Sequence, residues 1–160
     1  MAITHTLRQH LYGHCKYSLL LYGSIGLSLH LIWEVLHFPL YTLWKTGTWS
    51  EILYAIVHCT IGDLMIGMTS LLIAIWLMSG SNWPLTRQRH VLIMTVALGL
   101  AYTLFSEWLN VDIRQSWAYS DLMPIVPIIS VGLSPLMQWI VIPIIQFALV
   151  YKYRPSIQAD

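Results

Sequence analysis

Four apolar runs, at residues 17–43, 52–78, 91–111 and 135–151, leave this chain few folds to choose from. Each approaches or exceeds the roughly 20 residues that a helix needs to cross the hydrocarbon of a bilayer. The first two are long enough to tilt or to project beyond it. Charged residues make up 9% of the 160, against roughly 25% in soluble domains. What lies between the runs is too short for a separate soluble domain. The expectation is an all-α integral membrane protein: a single membrane domain, folded as a four-transmembrane-helix bundle, whose main partner is the lipid bilayer. Nothing in the chain calls for a nucleic-acid partner.

The loops orient the bundle. Four crossings put the N-terminus, the loop at residues 79–90 and the C-terminal tail on one side. That side carries Arg8, Lys16, Arg87, Arg89, Lys152 and Arg154, while the other carries Lys45 and Arg114 beside Glu51, Asp112 and Asp121. By the positive-inside rule both termini are cytoplasmic. The first 16 residues lack the early apolar core of a cleavable signal peptide, so the first helix is expected to act as an uncleaved insertion signal. His5, His10 and His14 lie in this segment, which reads as cytoplasmic and interfacial. Cys15 and Cys59 fall at different depths and are expected to stay unpaired.

Residues 121–133, DLMPIVPIISVGL, are apolar yet broken by Pro124, Pro127 and Gly132. The piece is too short for a crossing and reads as a re-entrant or interfacial cap before helix four, or as a packed loop. Ser134 followed by Pro135 is expected to open that helix as N-cap and first-turn proline.

The polar residues inside the runs carry the functional signal. His30, Glu34 and His37 follow one another at spacings of four and three, hence on one helix face. His58, Thr60 and Asp63 fall early in helix two, Glu107 and Asn110 late in helix three, and Gln138 at the start of helix four. With alternating crossings, all of them lie in the outer half of the membrane. A charge at membrane depth is costly, about 2.5–3.5 kcal/mol on insertion scales. Glu34-x-x-His37 is the arrangement by which di-iron carboxylate bundles present two ligands on one face. Glu34, His37, His58 and Glu107, with His30 and Asp63, are therefore candidate ligands for a transition metal: Fe, Mn, Zn or Cu. Asn110, Tyr119 and Gln138 are candidates for orienting substrate or bound water. Trp33, Trp108, Trp117 and Tyr119 lie near this layer in sequence and read first as an interfacial belt.

Blander readings use the same residues. His30 on an apolar helix is commonly a hydrogen-bonded packing residue, and Glu34 with a histidine makes a network that locks helices together. Asp63 beside Gly62 has Thr60 and backbone carbonyls within reach.

The motifs WExxHxPLY (33–41), HCTxGD (58–63), SEWLN (106–110), WAY (117–119) and GLSPxxQW (132–139) resemble a group of small bacterial inner-membrane proteins. The resemblance covers most of the chain. It implies a bacterial inner-membrane setting and transfers no chemistry.

The expected function is a membrane-embedded, metal-dependent enzyme, redox or hydrolytic, acting on a lipid-soluble or periplasmic substrate. The alternative is a small accessory subunit of a larger membrane complex. Its polar layer would then lock helices or contact a proton or a quinone, and its apolar inner half would meet partner membrane subunits. A transporter is the weakest reading, because no polar path continues into the inner half and no inverted repeat is evident.

Overall fold

The computed structural model describes residues 2–79 and 83–154, with side chains from residue 13 onward. His5 and His10 lie outside the described side chains.

Helix α1 runs from Ala2 to His37 as one element, so the N-terminal segment and the first apolar run form a single helix. It stops six residues short of the sequence expectation. Pro39 is the reason: continuing the helix would remove a backbone donor and drive the ring into the carbonyl one turn back. The chain instead makes a 3-10 turn at Phe38–Leu40 and a short helix, α2, at Leu43–Thr46. Helix α3 then starts at Trp49 and ends at Met78, opened by a capping box. Thr48 N donates to Glu51 Oε2 (2.8 Å) and Glu51 N to Thr48 Oγ1 (3.4 Å).

Helix α4 spans Gln88–Glu107 and continues as a π-helix over Trp108–Ile113. A side chain explains the change of winding. Asn110 Nδ2 donates to the Ser106 carbonyl (2.9 Å), the acceptor that its own backbone N–H would take in an α-helix. The ladder then runs five residues back, as in Arg114 N to Leu109 O (2.8 Å).

Residues 118–132 close this end of the bundle. Tyr119 forms a bridge with Tyr41, and Thr42 N and Ser120 N donate to Ala118 O and Leu40 O. Strands β1 (Ile125–Val126) and β2 (Val131–Gly132) then pair antiparallel as a small hairpin. Helix α5 follows at Leu133–Tyr153. The expected N-cap is corrected here. Gly132 occupies that position without a side-chain cap, and Ser134 stands inside the first turn with its hydroxyl turned to His37.

Each long helix packs on two neighbours, in the cyclic order α1, α3, α4, α5. At the loop 83–87 end the centre is apolar, with Tyr22, Leu71, Ala74, Trp83, Val91 and Phe147 buried together. This half is not free of polar groups: Gln146 is buried there and donates to Tyr22 O (3.0 Å). The outward faces are apolar as well. Trp76 is 78% exposed, and Leu20, Leu36 and Ile93 also point away from the bundle. A helix in water shows the reverse pattern. Four helices, over Gly13–Leu40, Trp49–Met78, Gln88–Ile113 and Leu133–Tyr153, are long and apolar enough to cross a membrane. Cys15 and Cys59 are both free thiols.

Candidate functional site

The polar residues of the sequence layer gather at the capped end of the bundle, around its axis. Gln138 on α5 makes the central connection. Its Nε2 lies 2.7 Å from Asp63 Oδ2 on α3, 2.9 Å from His30 Nδ1 on α1 and 3.3 Å from Glu34 Oε1 on α1. His30 and Asp63 also approach each other directly (3.6 Å). The bond from Gln138 to Asp63 crosses the bundle, because α3 and α5 are opposite members of the ring. An amide nitrogen has two hydrogens, and here three acceptors surround it.

Trp139, the next residue, is 2% exposed and forms the wall behind the network. Its ring lies 5.5 Å from His30, and it fills the space in front of Gly67 on α3 and Gly99 on α4. Gly99 has no room for a side chain, because a Cβ there would lie 2.9 Å from Trp139 Cδ2, whereas at Gly67 the indole is at ordinary contact distance, 3.8 Å.

One turn towards the cap, a second chain of contacts runs outward. Glu34 Oε2 is 3.2 Å from His37 Nε2, and His37 Nδ1 is 3.0 Å from Ser134 Oγ. The i, i+3 spacing on α1 sets the first contact, as the sequence pattern predicts. The second depends on α5 beginning beside the end of α1. Glu34 and His37 are 4% and 8% exposed, so both nitrogens of the ring are held in the interior.

A third branch is built on α4. Tyr119 donates its phenol hydrogen to Glu107 Oε2. Burial and the adjoining Glu107 carboxylate push the Tyr119 phenol above its ordinary range, which keeps it a donor. Burial acts in the same direction on Tyr41, whose ring lies 5.4 Å from His37 and 5.7 Å from Tyr119. Trp117 Nε1 is buried on the Glu107 side without closing a hydrogen bond.

These branches surround a cavity of about 570 Å³, within the usual range for small-molecule sites. Glu34, His37, His58, Asp63, Glu107 and Gln138 all line it, together with Asn110 on the π-helix. The π-helix therefore carries Asn110 and, just after it, Arg114 to the cavity wall. His58 is exposed and stacks on Tyr54 (5.5 Å, 15°) at the α3 side. In front of Gly62, also on α3, there is open space for a side chain.

The predicted residues thus share one region but hold different places. His30 lies behind Gln138, in contact with that amide, and is not part of the cavity wall. Tyr119 is also outside the wall and acts on Glu107. Asn110 uses its amide on its own helix turn. Trp117 belongs to the cavity wall, whereas Trp108 is half-exposed.

The arrangement lends a metal centre no support. Among the described residues, no three His, Cys, Asp or Glu side chains are grouped so as to hold a metal ion. The Gln138 amide stands between Glu34, Asp63 and His30. What the site does offer is proton transfer. A buried imidazole is held between a carboxylate and a hydroxyl, beside a cavity large enough for a substrate.

Ser134, Tyr41, Trp139, Arg114 and Gly62 were not among the residues that the sequence pattern selected. Tyr41 follows His37 by four residues and shared its periodicity, a signal that was present in the sequence. The others depend on how α5 and the π-helix meet the remaining helices. The chain matches no protein-family model, no curated protein and no solved structure, so the function rests on the chemistry of this cavity.

Proposed function

We propose that the chain is a membrane-embedded enzyme of the bacterial inner membrane, with both termini cytoplasmic and the cavity near the periplasmic face. Its substrate is lipid-soluble or periplasmic. The observation that carries this reading is the buried Glu34–His37 pair (3.2 Å) opening on a 570 Å³ cavity. A network that served only to lock helices would have no use for that space. In the proposed reaction Glu34 holds the His37 ring in one orientation and tautomer, and His37 moves the proton. Glu107, supported by Tyr119, is the second acidic group facing the substrate.

The metal-dependent form of this reading draws no support from the ligand geometry, and we assign no step to a metal. The accessory-subunit reading is favoured by one observation, the Gln138 bridge from α1 to α3. We assign that bridge to the floor of the cavity, where it holds the helices that carry Glu34 and Asp63.

The test is untargeted mass spectrometry of bacterial lipid and periplasmic extracts incubated with purified protein, Glu34→Gln or Glu107→Gln. The expected result is at least one compound consumed by the wild type and spared by Glu34→Gln at unchanged helix content. Elemental analysis of the same preparations reads metal content directly. A wild type that converts nothing, with variants that only lose thermal stability, would move the assignment to the accessory subunit.

A further inference from the structure

Resting on the reading of this cavity as an enzyme site, we infer that Ser134 is the nucleophile of an acyl-transfer reaction, activated by His37 and Glu34. The cavity would then accept an ester of an amphipathic alcohol or acid.

The argument begins with hydrogen-bond roles. Glu34 Oε2 and His37 Nε2 are an ion-pair contact at 3.2 Å, and the tautomer that turns a ring hydrogen to the carboxylate carries it on Nε2. His37 Nδ1 is then an acceptor, and the group within reach is Ser134 Oγ at 3.0 Å. A hydroxyl bonded to an imidazole that is itself oriented by a carboxylate is the general arrangement of an activated serine. The two ring nitrogens exchange roles relative to the serine-protease arrangement, and the roles rather than the atom names define the chemistry.

The position of Ser134 suits attack. It lies in the first turn of α5, one turn before Gln138 and so on the same face of that helix. Pro135, Gln138 and His37 all line the cavity; Ser134 stands outside the wall itself and adjoins it through its bond to His37. Ser134 is half-buried, whereas His37 and Glu34 are buried. A nucleophile that substrate must reach, backed by groups that water must not reach, has this distribution. The first-turn N–H groups of a helix have no intrahelical acceptor, and the helix dipole is positive there. Leu133 N donates to Pro124 O (2.7 Å). Pro135 has no N–H and Leu136 N–H is taken by the Gly132 carbonyl, so the Ser134 N–H is the first-turn donor left at the end where negative charge develops on the substrate carbonyl.

The steps balance without an oxidant or a reductant. Ser134 Oγ bonds to the ester carbonyl carbon as its proton passes to His37 Nδ1. The carbonyl–alkoxide bond breaks, and His37 returns the proton to the departing alcohol. Water then attacks the acyl-serine and gives its proton to His37. The acyl–Oγ bond breaks, the carboxylic acid leaves, and Ser134 recovers its proton. The sum is ester plus water to acid plus alcohol.

The test is labelling by an alkyl fluorophosphonate, which reacts with activated serine hydroxyls, on the full chain in dodecyl maltoside micelles. Peptide mass spectrometry locates the label. We expect a single label at Ser134, none in Ser134→Ala, and a rate about 100-fold lower or less still in His37→Gln and Glu34→Gln. A purely structural contact would not change a labelling rate. Ser134→Cys provides a readout independent of the phosphonate: its alkylation by iodoacetamide should exceed that of Cys59 and fall on His37→Gln. A wild type that stays unlabelled at Ser134, or labels equally well without His37, overturns the assignment. Substrate conversion that needs Glu34 but persists in Ser134→Ala removes the nucleophile alone and leaves the enzyme reading standing.

Discussion

Gly62 and Gly99 offer a matched pair for testing the geometry of the cavity. Both lie inside long helices, α3 and α4, and both belong to the half of the bundle that holds the site. Replacing either by alanine should gain the same intrinsic helix preference, about 0.8–1 kcal/mol. The surroundings differ. A Cβ at Gly62 meets nothing within 4 Å. A Cβ at Gly99 would lie 2.9 Å from Trp139 Cδ2 and Cζ3, and closer still to Cε3. Trp139 cannot swing away, because Gly67 and His30 hold its ring on the other sides and it is 2% exposed. Overpacking of this kind costs roughly 1–3 kcal/mol. Since the helix-preference gain is common to both, the difference between the variants isolates that steric cost. Gly62→Ala should be as stable as the wild type or more so, and Gly99→Ala less stable than Gly62→Ala by about 1–3 kcal/mol. For a chain of this size the gap corresponds to roughly 2–12 °C in Tm. The assay is thermal unfolding in micelles followed by circular dichroism, with near-ultraviolet spectra reading the Trp139 environment. Equal shifts for the two variants would refute the placement of Trp139 against α4, and with it the back wall of the cavity.

Two further outcomes follow from the network. Gln138→Leu removes the donor shared by Asp63, His30 and Glu34; in membrane proteins such interhelical bonds are worth about 0.6–2 kcal/mol each. Asp63→Asn should therefore cost less in the Gln138→Leu background than in the wild type, and strictly additive unfolding energies would contradict the bridge. Tyr119 keeps its proton in the fold above the pH at which an unfolded tyrosine, at 10.0, loses it. The folded state then holds more protons, so stability should decline as pH rises from about 10, and Tyr119→Phe should flatten that decline in Tm measured from pH 9 to 11.5. An unchanged slope would show that the Tyr119–Glu107 contact does not form in solution.

Much of this architecture is legible in one dimension. Apolar runs of bilayer length locate four helices, because a backbone in hydrocarbon must satisfy its own hydrogen bonds within the segment. The i, i+3 spacing of Glu34 and His37 is a property of one helix, and their contact follows from it at once. Alternating crossings likewise place His58, Asp63, Glu107 and Gln138 at the level of that pair, and all of them do line one cavity. The stop of α1 before Pro39 was also local chemistry, although the length of the apolar run concealed it.

Tertiary structure decided what each polar residue does. The sequence puts His30 and Glu34 on one helix face, yet His30 lies behind Gln138 and Glu34 faces the cavity, because Gln138 on α5 stands against His30. Ser134 reads as a helix cap beside a proline, and only the end of α1 arriving next to it makes it the partner of His37. The π-helix that carries Asn110 arises from a side chain competing with its own backbone for the Ser106 carbonyl, a choice that periodicity does not encode. Depth in a bilayer and position on a helix face are periodic properties, which a sequence carries. Which groups meet across the bundle axis depends on helix rotation and packing against Trp139, and those are settled only when all four helices close together.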